Sequence, residues 1–128
     1  MTKPEDYTEE QFLSEIKAII KSNPNVVNPV GVNGCVYETA DGHRHCVIGR
    51  WLLDLGLIDL LVGLDPNGNR CGFGYNEDEG NESAESILPK MGFSEPVSLA
   101  AERIQVIADD GDWWGNMLFA TELKDLFS

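Results

Sequence analysis

CVYETADGHRHCVI, residues 35–48, is the stretch whose reading decides the fold. Two runs rich in β-branched, aromatic and cysteine residues, 35–39 and 43–48, flank Ala40-Asp41-Gly42. Asp-Gly between such runs is among the strongest short signals for a tight hairpin turn. The segment predicts a β-hairpin over residues 35–48 with Asp41-Gly42 at its tip. Strand alternation would set Cys35, Tyr37 and Thr39 on one face and Val36 and Glu38 on the other. On the second strand, His43, His45 and Val47 would oppose Arg44, Cys46 and Ile48.

Upstream of the hairpin, Thr8-Glu9-Glu10-Gln11 has the form of a helix-capping box. Phe12, Leu13, Ile16, Ile19 and Ile20 then recur at helical spacing. Asn23-Pro24 stops the run, because a residue before proline resists helical angles. A helix is expected over residues 9–21. Downstream, Gly49 ends the second strand, a short helix runs over 50–55 to Gly56, and another helical piece covers 58–62. Residues 65–80, rich in Gly, Asn and Asp, read as a loop longer than most structureless connections. Asn81 caps a helix that Pro89 limits, and Ser94-Glu95-Pro96 starts another. The stripe of that helix is Val97, Ala100, Ala101, Ile104, Ile107 and Ala108. Asp112 caps a last helix with Trp113 or Trp114, Met117, Leu118, Thr121, Leu123, Leu126 and Phe127 inward. The expected class is α+β, about five short helices packed around one small hairpin, in a single domain over residues 1–128.

Charge narrows the function classes. The 128 residues carry 22 acidic and 9 basic side chains, a net charge of -13. Affinity for a nucleic-acid backbone comes from cations that displace counterions, so direct nucleic-acid binding is disfavoured. An anionic membrane leaflet is repelled for the same reason. No apolar run is long enough for an export signal or a membrane span, so a cytoplasmic protein is expected. Three cysteines without an export signal are expected to be reduced thiols. The acidity is uneven: residues 1–70 hold six basic and ten acidic side chains, and residues 71–128 hold three and twelve.

Two clusters carry candidate chemistry. His43, Arg44 and His45, with Arg50, form the one concentrated positive spot. They suggest contact with a nucleotide-like anion, with Arg50 at a helix start whose N–H groups favour anions; a solvated turn is the other reading. Asp109, Asp110, Asp112, Trp113 and Trp114 form the second cluster. Tryptophan beside acids suggests an interaction surface, because tryptophan is enriched among binding hot spots; a capped helix junction is the alternative. Zinc ligation by Cys35, His43 and His45, with Cys71 as a fourth ligand, lacks the spacing of a closed site. No metal or cofactor is expected, and structural roles are favoured, with Cys35 and Cys46 read as buried small apolar groups. Asp65-Pro66-Asn67-Gly68-Asn69 begins like a calcium loop, but Arg70 and Asn76 stand where Gly and Glu are required. Hydrolase, phosphate-loop, zinc-protease and dinucleotide motifs are all missing, which ranks an enzyme last.

Cys35-Val36-Tyr37, Asp41-Gly42 and Cys46-Val47-Ile48-Gly49-Arg50-Trp51-Leu52-Leu53-Asp54-Leu55-Gly56 together resemble small uncharacterised proteins of actinobacteria and their bacteriophages. Gln105, Asp109-Asp110-Gly111 and Trp114-Gly115 are similar to the closing motif of that group. The resemblance spans about half the chain and omits the loop around Cys71. It implies a cytosolic, phage-encoded accessory protein and supplies no chemistry. The leading expectation is a small acidic, non-enzymatic binding protein, an accessory or anti-defence factor that engages a host protein with a basic surface. The alternative is a small-ligand protein that holds a nucleotide-like anion at the His/Arg hairpin and Arg50. The oligomeric state has no signature in the sequence.

Overall fold

Thr8 opens the first helix as expected, its hydroxyl accepting the Gln11 N–H at 3.0 Å. Helix α1 spans Glu9–Ser22 and buries Phe12, Ile16 and Ile20 on one stripe. The computed structural model describes residues 2–31 and 34–127. The chain is α+β: short helices around small antiparallel pairings. Strands β1 (Val30–Gly31) and β2 (Gly34–Cys35) pair with each other, as do β3 (Gly63–Leu64) and β4 (Arg70–Gly72). Helix α2 spans Val47–Asp54, α3 Ala84–Lys90, α4 Glu95–Ala108 and α5 Lys124–Phe127.

The finer boundaries of the expected hairpin differ. Residues 43–46 are not a strand, and the bridging partner of Glu38 is Arg70. The tip is a closed turn in which the Thr39 N–H donates to the Arg44 carbonyl at 2.9 Å. Alternation fails as well: Val36 and Tyr37 are both buried, and so are Cys46, Val47 and Ile48. Helix α2 begins at Val47, and Gly49 lies inside its first turns rather than ending a strand. A side chain at Gly49 would fall on the carbonyl oxygen of Tyr37, so only glycine lets the helix backbone lie this close.

Residues 65–80 are less loop-like than expected. Strand β4 pairs back onto β3, and Asp65 turns the chain between them. Its Oδ1 accepts the N–H groups of Asn67 and Asn69 at 2.9 and 3.0 Å. Glu82 fastens the following segment to α3: it accepts from the N–H groups of Phe73 and Gly74 and from Ser86 Oγ and Lys90 Nζ. The cap of α3 is Ser83, not Asn81, and Pro89 sits within its last turn.

Helix α4 matches its expected stripe and packs against α3, α1 and α2. The last expected helix is instead a six-residue 3₁₀ segment, Trp114–Phe119, a short 3₁₀ turn and α5. Three residues per turn replace the 3.6 of an α-helix. Trp114 and Met117 therefore face the core, while Trp113 and Thr121 are exposed.

The core centres on an aromatic group where Trp51 meets Phe12, Phe93 and Tyr7 at ring separations of 4.7, 4.9 and 5.7 Å. Glu15 Oε1 satisfies its polar edge, accepting from Trp51 Nε1 and the Tyr7 hydroxyl, both at 3.0 Å. Burial, reinforced by the Glu15 carboxylate, pushes the Tyr7 phenol up to about 12. No helix among the described residues is long and apolar enough to cross a membrane.

Candidate functional site

Four of the expected site residues come together. His43, Arg44, His45 and Arg50 line one cleft of about 310 Å³ with Asn23, Val26, Val27 and Trp114. Local structure holds each wall. Asp41 Oδ1 accepts the His43 N–H at 3.0 Å and the Thr39 hydroxyl at 2.6 Å, and Thr39 Oγ1 accepts the Arg44 N–H at 3.1 Å. His45 Nε2 lies 2.9 Å from Glu38 Oε2. Glu38 Oε1 accepts from Arg70 Nε at 2.8 Å, and Arg70 also reaches the Leu61 carbonyl and Asp59. Burial alone would raise the Glu38 carboxyl, but the hydrogen bonds from Arg70 and His45 outweigh it and hold the group below its usual value. The opposite wall is pinned by two backbone bonds, Trp114 N–H to Val26 O at 2.8 Å and Gly115 N–H to Pro24 O at 2.9 Å.

The expected role of Arg50 beside free helix N–H groups needs correction. Helix α2 starts three residues earlier, and the Val47 and Gly49 amides of its first turn are occupied. Asn28 Oδ1 takes the Val47 N–H at 3.1 Å, and Cys46 Sγ takes the Gly49 N–H at 3.2 Å. Arg50 Nε donates to Asp54 at 3.1 Å across one helical turn. Any anion in the cleft is recognised by side chains.

The second expected cluster divides. Trp114 is buried, its indole N–H donating to Asn28 Oδ1 at 2.8 Å. Trp113 is 54 % exposed and Phe119 86 %. Within the 3₁₀ segment positions 116 and 119 are exposed at the three-residue period, and the extended cap residue Trp113 is exposed before them. Asp112 heads this row, its Oδ1 accepting from the Trp113 N–H and from Asn116 Nδ2 at 2.8 and 2.7 Å. Asp109 and Asp110, both exposed residues, precede it at the C-terminal end of α4. Partial desolvation of Asp109, with Glu102 and Asp110 close by, raises its carboxyl against the bond it accepts from Asn28 Nδ2 at 2.8 Å.

The considered zinc set does not assemble among the described residues, where no three His, Cys, Asp or Glu side chains converge on a metal position. Cys71 is buried, with Sγ toward the carbonyls of Gly63 and Gly74, while His43 is exposed. The Cys35 side chain lies outside the described residues.

Sequence reasoning missed Asn28, Val26, Val27 and Phe119. Asn28 carries no local signal, since its partners Val47, Asp109 and Trp114 are all distant in sequence. Phe119 was discoverable only from the three-residue period. Comparison with known proteins adds no relative: no family model, curated protein or solved structure matches the chain.

Proposed function

We propose that this chain is a small acidic, non-enzymatic binding protein that docks on a basic surface of a partner protein. The docking edge is Asp109, Asp110, Asp112, Trp113 and Phe119. One observation carries the reading: two large aromatic side chains, Trp113 at the cap and Phe119 at the last position of one 3₁₀ segment, are 54 % and 86 % exposed and follow three carboxylates in the chain. Aromatic anchors supply desolvated contact area, and the surrounding carboxylates supply steering and register. The net charge of -13 directs that steering at a cationic surface. The sequence resemblance to phage-encoded proteins supports a host protein as partner and the host cytoplasm as the place of action.

The test is capture from actinobacterial lysate at low salt by the native chain and by the double variant Trp113→Ser, Phe119→Ser. A protein retained by the native chain, lost with the double variant and released by added salt supports the reading. A retained set that the double variant leaves unchanged overturns it.

A further inference from the structure

We propose that the cleft between residues 43–45 and 23–27 is a second, separate binding site, for a small organic phosphate of mononucleotide size. The ligand class follows from charge, shape and lining. Two guanidinium groups, Arg44 and Arg50, and the His43 imidazole line the cleft, and none of its lining residues is a carboxylate. In a chain with 22 acids against 9 basic side chains, such a surface is exceptional. Elsewhere the structure pairs its arginines fully: Arg70 with Glu38 and Asp59, Arg103 with Asp125. Arg44 has no ion pair among the described residues, and Arg50 commits only Nε to Asp54. Its two terminal nitrogens are left for a ligand. Guanidinium forks match phosphate oxygens bidentately, which makes arginine the preferred side chain for this anion.

The apolar part of the lining decides between inorganic and organic phosphate. Val26, Val27 and Trp114 line the cleft beside the cationic residues. A bare phosphate leaves the solvent-facing surface of Val26 and Val27, which lie beside the buried Trp114, uncovered, whereas a ligand with a carbon body covers it. The volume of about 310 Å³ is at the lower end for small-molecule sites and suits one nucleotide rather than a dinucleotide. Both walls are also fixed before any ligand arrives. The tip is closed by the bonds among Thr39, Asp41, His43 and Arg44, and the 24–26 segment by its two backbone bonds to 114–115. Preformed walls remove part of the ordering cost of binding. The buried amides of α2 take no part, so recognition rests on Arg44 and Arg50.

The experiment is calorimetric titration of the native chain with adenosine monophosphate, adenosine, inorganic phosphate and ribose 5-phosphate. Adenosine monophosphate is expected to bind, and adenosine and inorganic phosphate each about tenfold or more weaker, because each lacks one half of the recognised chemistry. Ribose 5-phosphate separates a requirement for the base from a requirement for any organic phosphate; binding equal to the nucleotide still supports the site but assigns recognition to the sugar phosphate. Arg44→Gln and Arg50→Gln are each expected to weaken nucleotide binding about tenfold, the loss of one charge-assisted contact. Arg44 has no ion pair among the described residues and Arg50 loses only a half-exposed pair with Asp54, so ligand-free melting temperatures should change little. Trp113→Ser, on the docking edge, should leave nucleotide affinity unchanged, which keeps the two sites distinguishable. No heat or melting shift with either organic phosphate overturns the proposal. So does binding that survives both arginine substitutions.

Discussion

The side-chain oxygen of Asn28 accepts the indole N–H of Trp114 at 2.8 Å, and both residues are buried. The same oxygen accepts the Val47 N–H that opens α2, and the amide nitrogen donates to Asp109. One side chain therefore ties the wall of the cleft, the start of a helix and the acidic edge together. Asn28→Ala would leave two buried donors unpaired, at a cost of roughly 3 kcal/mol. Urea unfolding followed by tryptophan fluorescence measures it. A loss below about 1 kcal/mol would mean that water replaces the amide and that the link is not structural.

Gly49 gives a sharper test of the fold, because the only thing at issue is one methyl group. Its α-carbon lies against the Tyr37 carbonyl, so Gly49→Ala forces α2 away from the 36–38 segment. A cost of about 3 kcal/mol is expected, the upper part of the range for overpacking against unyielding atoms. Gly42 is the control. It has φ +76° with open space around its α-carbon, so Gly42→Ala should cost only about 1 kcal/mol of backbone strain. Equal losses at the two positions would show that α2 can shift freely.

These two sites also explain what the sequence could disclose. Helices α1 and α4 were legible because cap, stripe and stop signals lie within each segment. The start of α2 was not. Val47 and Ile48 have strand preferences, and their helix depends on Cys46 Sγ capping Gly49 and on Asn28 reaching across from residue 28. That is a tertiary contact overriding local propensity. The cleft was half legible. The cationic residues are neighbours in sequence, but Val26, Val27 and Trp114 arrive only through the backbone bonds between 24–26 and 114–115. Trp113 and Trp114 look equivalent in sequence, and only the place where the 3₁₀ segment starts, with Trp113 as its extended cap and Trp114 as its first residue, leaves one exposed and the other buried.

Glu38 sets the acid side of the stability profile. Its folded carboxyl titrates below the ordinary value, so it stabilises the native state above the unfolded value of about 4.5. That contribution is lost as pH falls through the lowered folded value. Glu38→Gln should therefore destabilise the chain by roughly 1–2 kcal/mol at neutral pH and much less under acid. Melting temperatures of the two forms across an acid series would converge. A gap independent of pH assigns the loss to packing alone.

Tyr7 sets the alkaline side. Its phenol is neutral in the folded chain up to about 12, against 10.0 when unfolded. The stabilisation is complete below pH 10 and is lost as pH rises towards 12. Tyr7→Phe removes this dependence, leaving a flatter alkaline limb after a neutral-pH loss of about 1 kcal/mol from the hydrogen bond to Glu15. Unfolding followed at successive alkaline pH values would show it. A variant that loses stability as steeply as the native chain would point to other alkaline groups.

Trp113 and Phe119 differ from Trp114 in what their removal should do. Trp113 and Phe119 make their largest surfaces available to solvent, so replacing either with serine should change stability by less than about 0.5 kcal/mol. Trp114→Ala, at 2 % exposure and with its indole N–H engaged, should cost about 4 kcal/mol. This contrast separates a docking edge from a core seam before any partner is known, because a folding role predicts losses of similar size at all three positions. Once a partner is in hand, the carboxylates make a second demand. Binding through Asp109, Asp110 and Asp112 should weaken steeply as salt shortens the screening length from about 10 Å at 0.1 M to about 3 Å at 1 M. Trp113→Ser should weaken it at every salt concentration, since apolar burial is not screened. An affinity indifferent to salt would remove the acidic residues from the interface and leave the aromatic pair as its sole determinant.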